Sequence, residues 1–161
     1  MRRKDREVTD PGRIEQIVQR CDVCRIAMVD GNRPYVVPMN FGYTVEEGQW
    51  TLYFHSAKEG RMLSVLHENP MVCVEMDGAH ALLPAPQACG YGMAFESVLM
   101  EGQVALAQSE MQKVLWLNHL MQRIAPGECF AYAPQVLAAT EVFCVRVSRV
   151  SAKQRLPERG E

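Results

Sequence analysis

The chain has no apolar run near the roughly 18 residues that a membrane-spanning helix needs. Its opening, Met1-Arg2-Arg3-Lys4-Asp5-Arg6-Glu7, is basic but has no apolar stretch behind it, so no secretory signal is expected. There is no excess of either charge: the net charge is -2 and the isoelectric point about 6.1, which removes any global pull toward nucleic acid or an anionic membrane. No internal repeat or low-complexity tract interrupts the pattern. A second Cys/His pair at metal-ligand spacing is also missing, so Cys21-x-x-Cys24 stands alone. Cys24 falls in a β-rich segment with Val23, Ile26 and Met28, away from any helix start that would stabilise a thiolate. The six cysteines therefore read as reduced and mostly buried, with no metal site. The chain is expected to be cytoplasmic.

What is present suits one domain over residues 1–161, with a polar arm over 1–10 and a polar tail over 152–161. A chain of 161 residues, 48% apolar and 22% charged, can bury a core without staples.

Thr9-Asp10-Pro11 opens a helix over about 11–20. Residues 23–29 and 34–43 form a β-hairpin around Asp30-Gly31-Asn32. Pro38 cannot donate to a ladder, so its strand lies on an edge or at a bulge. Glu46-Glu47-Gly48-Gln49 is a turn before a strand over 50–55, and Asp77-Gly78 closes one over 71–76. Residues 79–92 read as a loop and 95–107 as a strand bent at Gly102. The segment 108–124 is a helix whose face is Met111, Leu115, Leu117, Leu120, Met121 and Ile124. A short helix near 135–138 precedes a strand over 142–150, and the tail after Ala152 is expected to be loose. Five or six strands with three peripheral helices indicate a small β-barrel.

The most unusual stretch runs from Tyr53 to Pro70. Ser56 and Glu59 have capping-box spacing, which predicts a helix start near Ala57. Lys58 and Arg61 would then occupy the first turn, where the helix dipole disfavours cations. Two readings stay open on these residues: solvated surface charges, or a site for an anion such as phosphate.

Three segments together resemble a known family. They are Gly31-Asn32-Arg33-Pro34-Tyr35-Val36-Val37-Pro38-Met39-Asn40-Phe41-Gly42-Tyr43, then Leu52-Tyr53-Phe54-His55-Ser56-Ala57-Lys58-Glu59-Gly60-Arg61, then Asn69-Pro70-Met71-Val72-Cys73. In this order they resemble the pyridoxamine-phosphate-oxidase-like superfamily, and within it the 5-nitroimidazole-resistance (Nim) type, from the N-terminus to about Gly102. The resemblance implies an FMN-binding split β-barrel of about six mostly antiparallel strands, forming a homodimer with flavin at the interface. It implies that Arg61 and Lys58 meet the flavin phosphate and that Ser56 adds a hydroxyl. Pro38, Met39 and Asn40 would border the ring, and Ser97 would approach it from a later strand. His55 would lie beside the flavin as the catalytic residue, relaying a proton. Met62 stands where the oxidases commonly carry a second phosphate cation, which leaves Lys58 as the substitute. Glu96 would oppose an anionic cofactor if it pointed inward. The C-terminal signature of true pyridoxamine-phosphate oxidases is absent, which argues against vitamin B6 synthesis.

The resulting expectation is an FMN-dependent reductase of small acceptors such as nitro compounds, taking electrons from a small-molecule donor. The alternatives are a non-catalytic flavin- or haem-binding protein, with His55, His67, His80 or His119 as an axial ligand, or a split barrel that has lost its cofactor.

Overall fold

The computed structural model, which describes residues 3–157, begins with a short strand, β1 (Glu7–Val8), that leads into α1 (Pro11–Arg20). Asp10 caps this helix as predicted: its carboxylate accepts from the Arg13 amide at 2.7 Å, with Pro11 in the first turn. β2 (Cys24–Asp30) and β3 (Arg33–Met39) form the expected hairpin, in register from Cys24 opposite Met39 to Asp30 opposite Arg33. β3 is an edge strand, so Pro38 has an unpaired side on which its missing N–H is harmless.

The expected strand over 34–43 does not run through. It breaks at Asn40-Phe41, and β4 (Gly42–Glu46) pairs with β5 (Gln49–Ala57) at the far end of the sheet. Tertiary contacts hold the break. The Asn40 amide donates to the Asp22 carbonyl at 3.0 Å, and Phe41 is buried beneath the Arg123 guanidinium, 4.3 Å from its ring centre. From Met39 to Gly42 the chain can reach only about 11 Å. The two ends of the sheet must therefore face each other, and the sheet rolls into an open barrel.

β5 extends further than residues 50–55, since Ser56 and Ala57 stay paired with Glu141 and Thr140. That pairing defeats the predicted capping box. The Ser56 hydroxyl donates to the Ala57 carbonyl at 2.9 Å instead of accepting from a helix amide, and α2 (Arg61–Glu68) starts only after Gly60, at φ 139°. Lys58 consequently lies before the helix and not in its first turn.

β6 (Met71–Leu83) and β7 (Gly92–Leu106) form a hairpin much longer than predicted. Asp77-Gly78 is followed by a bulge rather than a turn, and 79–83, expected as loop, continue the strand. α3 (Glu110–Ile124) and the short α4 (Pro134–Ala139) precede β8 (Thr140–Arg155), which reaches Arg155 where a loose tail was expected. Gly102 marks a register shift between β7 and β8, as its position suggested.

All eight strands are antiparallel, in the order β3-β2-β6-β7-β8-β5-β4, with β1 against β8. The two beyond the expected six are β1 and β4. With its peripheral helices this is the split-barrel architecture. Leu52, Phe54, Val74, Met76, Val98, Met100, Phe143 and Val145 fill the barrel. A second core under α3 and α4 contains Tyr53, Trp116, Leu117, Leu137, Val142 and Cys144. Successive β8 residues thus enter different cores, and 142–145 are buried on both faces. α3 presents only a narrow stripe to this core. Met111, Leu115 and Ile124, expected on its buried face, are 82%, 53% and 55% exposed. Among the described residues, no helix is long and apolar enough to cross a membrane.

Gly42 sets the approach of α3, because a Cβ there would lie 2.5 Å from the Leu120 Cα. Gly42→Ala should destabilise the protein by about 1–3 kcal/mol, the usual cost of overpacking, read as a lower denaturation midpoint.

Candidate functional site

The residues that precede α2 leave its first turn open. Ser64 bonds back to the Gly60 carbonyl at 3.2 Å, and no side chain caps the helix, so the amides of Arg61, Met62 and Leu63 are its orphan donors. They lie at the positive end of the helix dipole. Nothing lies within 4 Å of where a Gly60 side chain would be. Arg61 sits at this mouth with its guanidinium gripped from two directions. Its Nε donates to Asp30 at 2.8 Å, a second nitrogen lies 2.7 Å from the same oxygen, and the Tyr35 ring is 4.2 Å away. Lys58 is exposed and has no ion-pair partner among the described residues. Met62 is partly buried and packs against the barrel core beside the buried Leu63.

His55 precedes this turn on β5, exposed and opposite Val142. Its neighbours in the strand, Phe54 and Ser56, point the other way. Tyr53, on the same face, stacks on His119 at 4.6 Å, and burial lowers the His119 pKa.

The remaining candidates lie on the outer face of the other half of the sheet. Pro38, Arg25, Glu75 and Leu99 stand opposite one another across β3, β2, β6 and β7, and Ser97 stands opposite Asp77 one step along. Arg25 bonds to both Glu75 and Asp77. Burial, then the neighbouring Asp77 charge, pushes the Glu75 pKa up. Met39 turns its side chain into the core and Asn40 is committed to Asp22, so these two offer backbone to the outer face.

Arg61 touches Asp30 and Tyr35 of the β2–β3 hairpin, whereas His55 and Ser56 are separated from Ser97. His55 and Ser56 pair with residues 142 and 141 at the start of β8, whereas Ser97 pairs with Lys153 near its end. The two subsets flank opposite ends of one strand.

Glu96 points into the barrel at 3% exposure, on the face of β7 opposite Ser97 and so away from the outer face. Both Arg13 and Arg20 of α1 ion-pair with its carboxylate, so its charge is compensated within the chain.

The family model described as pyridoxamine 5'-phosphate oxidase matches residues 10–154. The chain belongs to that family. Among solved structures it is similar to a candidate 5-nitroimidazole antibiotic resistance protein from Bacteroides thetaiotaomicron. The two are 32% identical over 92% of this chain and 86% of that one, with a TM-score of 0.80. The flavocytochrome Anf3 from Azotobacter vinelandii has a TM-score of 0.83 at 22% identity, covering 100% of this chain and 75% of the other. A FAD- and haem-binding protein from Mycobacterium smegmatis has 0.82 at 20% identity, covering 96% and 77%. The latter two support the fold alone. No curated protein matches the chain.

Several members of this oxidase-family chain's polar network were not legible in sequence. Asp30 read only as a turn residue and Tyr35 only as a strand residue, yet both hold Arg61. Arg13 and Arg20, seven apart on one helix face, were the available signal for the buried Glu96. The Cys21-x-x-Cys24 pair carries no metal-site geometry. Both thiols are buried, the Cys21 thiol bonds to the Ile17 carbonyl at 3.3 Å, and burial pushes the Cys24 pKa up to about 12. The expectation of mostly buried cysteines holds for Cys21, Cys24 and Cys144, while Cys89 and Cys129 are exposed. No group of three His, Cys, Asp or Glu among the described residues could hold a metal ion.

A thiol reagent applied to the native protein should therefore modify Cys89 and Cys129 first. Cys21, Cys24 and Cys144 should react only on unfolding. Rapid native modification of Cys24, followed by mass spectrometry, would contradict its burial.

Proposed function

We propose that the chain binds a flavin, specifically FMN, and reduces small acceptors such as nitro compounds with electrons from a small-molecule donor. The observation that carries this reading is the near-full-length similarity to the Bacteroides protein, at 32% identity. The mouth of α2 fits the phosphate of such a cofactor. It offers three uncapped amides, open space at Gly60, and two cations. Arg61 and Lys58 would hold the phosphate, with Ser56 at its side. The backbone of Pro38, Met39 and Asn40 would border the ring, with Ser97 beyond it. Bound flavin supplies the capacity to accept electrons from the donor and pass them to the acceptor.

The protein's share of the work is positioning and proton supply. Asp30 and Tyr35 fix Arg61 in one orientation, so its planar guanidinium reaches the α2 mouth without a search through rotamers. His55 is exposed at the end of β5, where its imidazole can exchange protons with solvent and donate one to a bound acceptor. Met62, turned into the core, seals the first turn of α2 from below.

The separation of the two subsets along β8 supports a homodimer, each flavin held between the α2 mouth of one copy and the outer sheet face of the other. That face carries Val29, Val36, Met71 and Leu99, each 42–53% exposed. Such a row of exposed apolar side chains suits an interface better than water. A cytoplasmic location agrees with free thiols at Cys89 and Cys129.

Purified protein should show a flavin absorption band or acquire one on incubation with FMN. A haem Soret band would favour the haem-binding alternative, and a protein colourless after both cofactors would overturn the proposal. Arg61→Ala should weaken FMN binding by about 1–3 kcal/mol, the scale of a charged hydrogen bond. Unchanged affinity would remove Arg61 from the site. His55→Ala should leave flavin bound but slow reduction of a nitro acceptor, and undiminished turnover would make His55 structural.

A further inference from the structure

We infer that His80, held by Asp77 at the β6 bulge, is a second proton donor to the acceptor. The inference rests on the flavin reading above. Gly78 is opposite Glu96 and Ala81 opposite Ala94, so β6 advances three residues where β7 advances two. The extra residue is accommodated with Ala79 at φ 53°, a conformation that side-chain-bearing residues rarely adopt.

The bulge has a specific consequence. In an uninterrupted strand, residues three apart point to opposite faces. Here Asp77 and His80 meet on one face, with the imidazole Nε2 2.8 Å from the Asp77 carboxylate. The added residue is what turns His80 back over Asp77. Asp77 is itself held by Arg25, which also bonds to Glu75. The result is a chain of oriented groups, Arg25 to Asp77 to His80, on the sheet's outer face. Asp77 meets the imidazole directly, Arg25 and Glu75 stand behind it, and Lys153 lies opposite Ser97 on the next strand of the same face.

This chain of groups adjoins the candidates that would border the ring. Asp77 is directly opposite Ser97, and Arg25 directly opposite Pro38. With Nε2 committed to Asp77, Nδ1 is the ring nitrogen left to face a ligand. His80 is half-exposed, so solvent reaches its ring. In reduction of a nitro group to a nitroso group, one N–O bond breaks and the oxygen leaves as water. A reduced flavin held there would supply the two electrons and one proton, its own electrons coming from the small-molecule donor, and His80 Nδ1 would give the second proton. A carboxylate-oriented imidazole suits this role because it can carry a proton near neutral pH and release it in a fixed direction.

The test uses the full-length, flavin-loaded protein in single-turnover reoxidation by a nitroaromatic acceptor. His80→Gln should keep stoichiometric flavin and slow reoxidation about a hundredfold, within the range for a lost general acid. Asp77→Asn should slow it about tenfold. A second readout is independent of activity: in nitrogen NMR of the flavin-free wild type, the neutral His80 ring should keep its proton on Nε2, so that Nδ1 is the position that gains and loses the second proton, and Asp77→Asn should spread the neutral ring over both tautomers. Unchanged reoxidation in His80→Gln, with flavin bound, would overturn the inference while leaving the flavin reading intact. So would a His80 ring that shows no tautomer preference in the wild type. A wild type that takes up no flavin would overturn the functional reading itself, whatever the NMR result.

Discussion

The strand β8 is the constraint on which the rest of the structure depends. It pairs with β1, β5 and β7, and its side chains alternate between two separate cores. Phe143 and Val145 fill the barrel, whereas Val142 and Cys144 face α3 and α4. A register slip of one residue would exchange these sets and disrupt both cores at once. The register is therefore tightly specified, and it fixes where β5 ends. Pairing of Ser56 and Ala57 with Glu141 and Thr140 carries β5 past its predicted end and delays α2 to Arg61. The open α2 mouth is thus a product of the sheet ladder.

Sequence was most informative where local chemistry decides the outcome. Asp10 before Pro11, the Asp30-Gly31-Asn32 turn and the edge proline Pro38 all appear in the fold as their residue types predict. It was least informative where long-range pairing overrides a local signal. Ser56 and Glu59 have good capping spacing, but the partner strand lies about 85 positions further on and is invisible to a local reading. The break at Asn40-Phe41 likewise depends on Asp22 and Arg123, neither adjacent in sequence. α3 shows the same limit for burial: its apolar residues wrap more of the helix than the single stripe that meets the sheet, so periodicity overstated the buried face. For the candidate site, the segments were legible through family resemblance, but their division between the two ends of β8 was not, because it follows from register alone.

The cations at the α2 mouth acquire a different meaning once their partners are known. As a bare pair in a first turn, Lys58 and Arg61 would oppose the helix dipole. In the fold Lys58 lies outside the helix, and Arg61 is balanced by Asp30 and the Tyr35 ring. The mouth of α2 is therefore not electrostatically frustrated. An arriving phosphate would gain the orphan amides and Lys58 outright, but would share Arg61 with Asp30. That arrangement keeps the arginine oriented by the chain itself, at the expense of some attraction for the ligand. A lysine at position 61 could not reproduce it, since the bond geometry to Asp30 and the stacking on Tyr35 both use the planar guanidinium.

Glu96 illustrates how a charge that looks adverse in sequence is absorbed by structure. An uncompensated carboxylate this buried would be costly, and near an anionic cofactor it would also repel. Arg13 and Arg20 remove both objections from a helix that packs on β6 and β7. Ion pairs so placed add little net stability over an apolar contact, but they penalise alternatives strongly, because moving α1 would leave the carboxylate bare. Arg13 also bonds to Gln154 near the end of β8, which ties the same helix to the strand that organises the sheet. The N-terminal helix, β7 and the end of β8 therefore form one electrostatically locked unit, and that unit carries Ser97. The outer face proposed to border a flavin is consequently set from behind, by a charge cluster on the inner side of the same strand.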